Sequence, residues 1–254
     1  MRKIGIILIF ICSCVNNFAT TNTNDSLLFV LDRTIRNADS YIAKKEYYID
    51  KLRKKTHLDS WNLKEVYDNN KKLYEEYVKY KSDSALCYAK KNFEIAEKLD
   101  NEKLIFEATL QTALIYSQIG YYVEADKILK DIDSQSLSED MLIEYYKVYG
   151  FYHDHYGLSN GNYSHFKLSD KYRDSLLLVL PKTSFEYNLV FAERSLYEEK
   201  YKEAEKLLTS LLSMTSDDEP RRAYIAYLLG ELYKRLGNTE FQSRYYMISA
   251  IADI

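Results

Sequence analysis

The stretches GYYVEADKILKDID (Gly120–Asp133) and EKYKEAEKLLTSLL (Glu199–Leu212) share a pattern that decides the fold. Each contains a tyrosine, any residue and Glu-Ala, and continues with apolar residues at helical spacing, which predicts an amphipathic helix. DSALCYAKKNFEIAEKL (Asp83–Leu99) has the same form around Ala85. Another amphipathic helix is predicted beside each of these stretches. Self-similarity with a period of roughly 40 residues indicates an array of helix pairs.

Small residues recur where the two helices of each predicted pair would cross. The first helices carry Ala113, Gly150, Ala192 and Gly230 at this position. The second helices carry Ala85, Ala125 and Ala204, with equivalents near Leu168 and Gln242 in the less regular copies. Two helices approach closely only where the side chains at their crossing are small, so these positions predict contacts within the pairs.

The pairs are expected to stack, because each leaves an apolar face that only the next pair can cover. They resemble tetratricopeptide repeats (TPR), in which a small residue is followed three positions later by an aromatic ring, as in Ala113 with Tyr116 and Gly230 with Tyr233. Only two prolines and seven glycines occur, which favours long helices. The predicted fold class is an all-α, TPR-like helical solenoid with a long N-terminal capping helix; a generic helical bundle is the alternative.

The first 24 residues have the features of a secretory signal. Arg2 and Lys3 precede a short apolar run, Ile4–Val15, which is too short for a comfortable membrane span. Asn17-Phe18-Ala19 is one candidate cleavage site. Ile11-Cys12-Ser13-Cys14 resembles a bacterial lipobox and makes Cys14 the candidate lipidation residue, although Cys12 departs from that pattern.

Residues 25–57 are predicted to form one long helix, and residues 58–254 about five TPR-like helix pairs, the last incomplete. The apolar stripe of the long helix follows heptad spacing through Leu28, Leu31, Ile35, Ala38, Ile42, Ile49 and Leu52. This pattern fits a coiled-coil dimer or a helix that caps the first repeats. We favour the cap, because a solenoid needs its end covered. Cys87, between Leu86 and Tyr88, is expected to be a small packed residue.

Five stretches carry a resemblance that covers nearly all of residues 25–254. They are LDRTIRNADSYIAKKEYYIDKL, LYEEYVKYKSDSALCYA, GYYVEADKILKDID, YRDSLLLVLP and the terminal AIADI. Together they resemble the periplasmic N-terminal half of membrane-anchored TPR regulators of Bacteroidota, similar in layout to the starch-utilisation regulator. That resemblance implies a sensing or binding role. The family's later helices, membrane span and signalling region are not in this sequence.

The candidate interaction surface lies in YYKVYGFYHDHYGLSNGNYSHF (Tyr145–Phe166). Its stripe consists of Tyr145, Tyr149, Tyr152 and Tyr156, spaced by four, three and four residues on one helix face. The stripe either packs against the next helix or lines the concave groove. An insertion turn is predicted at Leu158–Ser164, and it places Asn160 and Tyr163 on the same candidate surface.

The sequence offers little support for chemistry. His153 and His155 are two residues apart, so they point to different sides of a helix, and nothing in the sequence brings His165 to either. We find no strained nucleophile turn and no phosphate-binding glycine loop, so no catalytic, cofactor-binding or metal-binding residue is predicted. A net charge of −3 without a dense basic cluster argues against nucleic acid as a partner.

The expected function is that of an exported, periplasmic or envelope-associated module that binds a protein or peptide in its concave groove, or senses a ligand, for a membrane-associated regulator. Contact with a membrane would come only through a lipid anchor or a missing C-terminal span. Two alternatives stay open: a lipid-anchored envelope scaffold without a sensing role, and a truncated remnant of a longer regulator.

Overall fold

The computed structural model describes residues 24–58, 62–217 and 219–253, and these contain helices and no strand. The α-helices are α1 (24–36), α2 (Ala38–Leu58), α3 (Leu63–Tyr77), α4 (Ser82–Lys98), α5 (Glu102–Gln118), α6 (Tyr122–Lys130), α7 (Glu139–Asn160), α8 (Tyr163–Val179), α9 (Phe185–Tyr197), α10 (Tyr201–Ser213), α11 (Pro220–Arg235) and α12 (Thr239–Asp253). A short 3₁₀ turn, Ser134–Ser136, lies between α6 and α7. The predicted all-α fold is confirmed. The leader, with Cys14, lies outside the described residues.

Two compact units make up the chain. One is Ala43–Val190, and the other combines the described residues up to Ile42 with those from Phe191 onward. In the first unit α3 packs on α4, α4 on α5, and α7 on α8. Helix α5 packs on both α6 and α7, so the first helix of one pair contacts the first helix of the next. This pattern of contacts is how helix pairs stack in a solenoid.

The predicted small positions of the regular repeats are buried. Ala85, Ala113 and Ala125 have no exposed surface in the first unit, and Ala192 and Ala204 have none in the second. Because a methyl group is the largest side chain at these points, the helix axes can lie close together. The apolar stripes around them form the cores, such as Leu110 and Leu129 beside Ala113 and Ala125.

In the two irregular repeats, the residue that packs at the helix crossing is not the one assigned from the sequence. It lies one residue further along the chain in α8 and four residues further along in α12. Ser169, not Leu168, is the buried small residue of α8, and its hydroxyl donates to the carbonyl oxygen of Gly150 at 3.0 Å. In the last pair Gly230 packs against the ring of Tyr246, not against Gln242. Sequence spacing missed both positions because the contacting residue in each is polar or large instead of alanine.

The N-terminal apolar stripe has different surroundings along its length. Asn37 forms a turn between α1 and α2. Ile49 and Leu52 are buried in one core cluster with Leu73 and Tyr77 of α3. Leu28 and Ile35, nearer the N-terminus, are each 56% exposed. The second half of the stripe therefore covers the first repeat, as the capping interpretation predicts.

Cys87 is exposed, which corrects the expectation that it packs in the core. Ala85 and Ala89 of the same helix are fully buried. A residue two positions from each of them points to the opposite side of the helix, toward solvent.

Among the described helices, none is both long enough and apolar enough to cross a membrane.

Candidate interaction groove

The first helices of three successive pairs, α3, α5 and α7, line a groove with a volume of about 710 Å³. All of its lining residues belong to the unit Ala43–Val190. The groove is open on the side of these first helices, whereas α4 and α6 pack behind them. Pockets that hold ligands in proteins have volumes of roughly 300–1,000 Å³, so this groove is large enough for several side chains of a partner.

The floor of the groove is apolar. It consists of Tyr74, Phe106, Leu110, Leu114, Met141 and Val148. Tyr74 is 5% exposed, and its hydroxyl donates to the carbonyl oxygen of Gln111 at 3.4 Å, which holds α3 beside α5. Burial raises the pKa of Tyr74, so this phenol remains a neutral hydrogen-bond donor across the physiological range. An apolar floor of this kind favours contact with apolar side chains of a ligand.

A lysine lies between two carboxylates on the α3–α5 side. Lys71 of α3 forms an ion pair with Glu107 of α5. Glu75, one turn further along α3, is a second nearby carboxylate. Burial opposes the charge of Lys71, but its bond to Glu107 and the negative charges of Glu107, Glu75 and Asp68 outweigh burial and raise its pKa. Lys71 is therefore a fixed ammonium group whose charge is fully compensated.

The α7 side repeats this arrangement. The ammonium group of Lys147 lies 2.8 Å from Glu144 on the same helix and 2.5 Å from Glu186 at the start of α9. Burial again disfavours the charge, and the bonds to the two carboxylates reverse its effect, so the pKa of Lys147 is raised. One ammonium group faces two carboxylates here too.

Gln111 supplies a polar atom that the protein itself leaves unsatisfied. Its side-chain oxygen is buried and accepts no hydrogen bond within the described part of the chain. Gln111 lines the groove between Leu110 and Leu114. A buried acceptor without a donor costs about 1–3 kcal/mol.

The tyrosine stripe lies in the core, not in the groove. Tyr145, Tyr149 and Tyr152 are 7%, 6% and 4% exposed. Tyr149 stacks on Tyr172 of α8 with ring centroids 4.6 Å apart. Of the two interpretations of the stripe, packing against neighbouring helices is therefore the one observed, and the prediction that these three rings offer an interaction surface is corrected. Tyr156 is only half-buried.

His153 and His165 come together at the contact between α7 and α8. Their Nδ1 atoms are 3.0 Å apart. Burial, and then the neighbouring His165, lower the pKa of His153 to about 4. His155 points elsewhere and packs on Phe151 at 4.1 Å between ring centroids. Within the described residues no group of three histidine, cysteine or acidic side chains is arranged to hold a metal ion.

The turn predicted at Leu158–Ser164 is much shorter in the structure. Helix α7 continues to Asn160, and α8 begins at Tyr163, so only Gly161 and Asn162 connect them. Gly161 has a φ of 60°, and the side chain of Asn162 accepts a bond from the backbone of Ser164. The side chain of Asn160 donates to the carbonyl oxygen of Tyr156 at 3.0 Å. Asn160 is exposed and Tyr163 is 80% exposed, so both remain accessible at the tip of this helical hairpin.

Sequence reasoning did not identify the residues of the groove. A signal was present: Lys71 with Glu75, and Lys103 with Glu107, are opposite charges four residues apart on two first helices. Such pairs occur on most exposed helix surfaces, so only the stacking of the helices distinguishes these from the rest.

The sequence of this array of stacked helix pairs can be compared with those of known proteins. No curated protein matches the chain. The family model described as the SusR N-terminal TPR domain matches residues 35–254, which include every helix pair and the whole groove. TPR domains are generally non-catalytic folds that mediate contacts between proteins. The chain therefore belongs to the family of SusR N-terminal TPR domains.

Proposed function

We propose that the chain is the interaction module of a regulator and that it binds a segment of a protein partner in the groove of α3, α5 and α7. The observation that carries this proposal is the groove itself, an apolar floor bordered by ion pairs on both sides. The membership in the SusR-type family supports a role in regulation.

Rigidity of the groove supports the proposal. The lining helix α7 is held from behind by the ring contacts of Tyr149 and Tyr172 and by the bond between Ser169 and Gly150. The ion pairs Lys71–Glu107 and Lys147–Glu186 join α3 to α5 and α7 to α9. A surface that is already ordered loses little conformational entropy when a ligand binds, so more of the contact energy contributes to affinity.

The proposed setting is the periplasm or the envelope, where the module would report the presence of its partner or ligand to the rest of a regulator. The features of the leader, Arg2-Lys3 followed by an apolar run, support export. The family membership supports a place in signalling. We propose no catalytic step for the chain.

Photo-crosslinking of the full chain in the cells that express it tests the groove. A photoreactive amino acid at Lys103 or Met141 would lie in the groove, and the same amino acid at Glu94 of α4 or Lys127 of α6 would lie on exposed second helices outside it. We expect one shared adduct from the two groove positions and none of that mass from the two controls. Adducts of equal yield from all four positions, or from the second helices alone, would overturn the proposal.

A further inference from the structure

The groove carries a negative charge that its own lysines do not balance. Five carboxylates and three ammonium groups line it. Lys71 is shared by Glu107 and Glu75, and Lys147 is shared by Glu144 and Glu186. The remaining pair of opposite charges, Lys103 and Asp140, cancels in the overall balance. The lining as a whole therefore has two more carboxylates than ammonium groups.

The two lysine-centred carboxylate pairs are separated by the floor. One lies between α3 and α5, and the other lies between α7 and α9. Packed helices are about 8–10 Å apart, so two helix spacings correspond to roughly 16–20 Å. An extended peptide advances about 3.3 Å per residue, and five or six residues would span this distance. A segment of that length places its central side chains over Phe106, Leu110 and Leu114.

We infer that the groove selects a cationic segment of its partner, with basic side chains on both sides of a short apolar stretch. This inference rests on the proposed function and specifies the chemistry of its ligand. The apolar stretch covers the floor, and each basic side chain joins a lysine-centred carboxylate pair, so that the two together balance the excess charge of the groove. Charge complementarity of this kind selects among partners and speeds their association.

Two isosteric substitutions remove the excess charge and leave one ion pair at each side. In the double variant Glu75→Gln/Glu186→Gln, Lys71 keeps Glu107 and Lys147 keeps Glu144. The matched control is Glu94→Gln/Glu97→Gln, which makes the same change of charge at two exposed positions of α4 outside the groove. Phe106→Ala removes part of the floor and identifies peptides that bind in the groove.

The experiment selects peptides from a random phage-displayed library on the purified full chain and measures their affinities by fluorescence anisotropy. Peptides whose binding is weakened by Phe106→Ala are expected to be enriched in lysine or arginine around apolar residues. The double variant should bind them about fivefold or more weakly, since two partly exposed ion pairs are lost. The control variant should bind like the unchanged chain, and higher ionic strength should weaken binding to the unchanged chain more than to the double variant.

The outcomes separate the inference from the function on which it rests. Groove-dependent peptides without an excess of basic residues, or with equal affinity for the double variant, would overturn the inference and leave the proposed function in place. If no selected peptide depends on Phe106 while thermal unfolding shows that Phe106→Ala is folded, both the groove function and the inference are wrong.

Discussion

Gly150 and Gly230 occupy corresponding positions in the first helices of two repeats, but their neighbours differ. A Cβ atom at Gly150 would lie 3.5 Å from the Cβ of Tyr172, which is an ordinary contact. A Cβ at Gly230 would lie 2.5 Å from the ring of Tyr246, which is too close for any real contact. There is thus space for a methyl group at Gly150, whereas packing at Gly230 requires glycine.

Replacing each glycine with alanine should therefore change stability in opposite directions. Gly150→Ala should raise the free energy of unfolding by about 0.5–1 kcal/mol, since alanine loses less backbone entropy in a helix. Gly230→Ala should lower it by about 1–2 kcal/mol, because the ring of Tyr246 has to move and overpacking outweighs the gain in helix propensity. Urea unfolding of the two variants measures both changes. Equal signs would contradict the assigned packing.

His153 is a buried titratable group at the contact of α7 with α8. It stacks on Tyr149 at 5.1 Å and on Tyr172 at 5.6 Å between ring centroids. His165 faces it directly, and the charges of Asp126 and Lys130 act on it with opposite signs. Because its folded pKa of about 4 lies below the ordinary value of 6.5, the folded protein keeps this ring neutral where the unfolded chain would protonate it.

The free energy of unfolding should consequently decrease as the pH is lowered from 6.5 toward 4. The contribution of His153 is fully present above pH 6.5 and is lost as pH falls toward 4, because the unfolded state then binds a proton that the folded state excludes. The loss should reach about 2–3 kcal/mol. Denaturation of the unchanged chain and of His153→Phe, which keeps an aromatic ring there, should show a weaker pH dependence in the variant. Parallel pH profiles would show that His153 does not contribute; the half-buried His155 is common to both proteins.

At the scale of the element, the hairpin of α7 and α8 depends on two residues of its turn. Gly161 adopts the left-handed conformation that ends α7, which glycine accepts without a steric cost. Asn162 then begins α8 by accepting the backbone N–H of Ser164 at 3.2 Å. The helices also share a partly buried ion pair, Arg173 with Asp154 at 2.5 Å. Caps and packing together stabilise α7 as a helix up to Asn160, within the segment in which the sequence predicts a loop.

Asn162→Ala should lower the free energy of unfolding by about 1 kcal/mol, because the first turn of α8 loses its side-chain acceptor. Asn162→Ser should retain most of the stability, since serine is an equally good cap. Thermal unfolding of both variants under one buffer condition makes the comparison. If alanine and serine destabilise the protein equally, the contribution of Asn162 is not that of a cap.

At the scale of the whole molecule, the leader predicted at residues 1–24 would set the compartment in which the groove operates. Cys14 is the proposed acylation site, and Cys12 lies two residues before it. Labelling of the expressing bacteria with radioactive palmitate should label the unchanged protein and the Cys12→Ser variant, and Cys14→Ser should lose the label. Absence of label from the unchanged protein, or its retention in Cys14→Ser, would exclude lipidation at Cys14. Cell fractionation would then test whether the chain is exported by a cleaved leader without acylation.

The sequence by itself determined the helical class and the repeat. Ala85, Ala125 and Ala204 recur at equivalent positions because close helix crossings leave room only for small side chains. The positions of the crossings can therefore be predicted from the sequence. Family membership was visible for the same reason, since the match follows the repeats themselves.

Only the tertiary structure decided which side of each helix is buried and which side lines the groove. The tyrosine stripe of α7 and the charged positions of α3 and α5 both have helical spacing, and spacing does not distinguish a buried face from a binding face. Stacking buried Tyr149 and exposed Cys87, and it brought Lys147 of α7 beside Glu186 of α9. The physical reason is that burial and charge balance depend on neighbours that are distant in sequence, whereas helix formation depends on residues that are near in sequence.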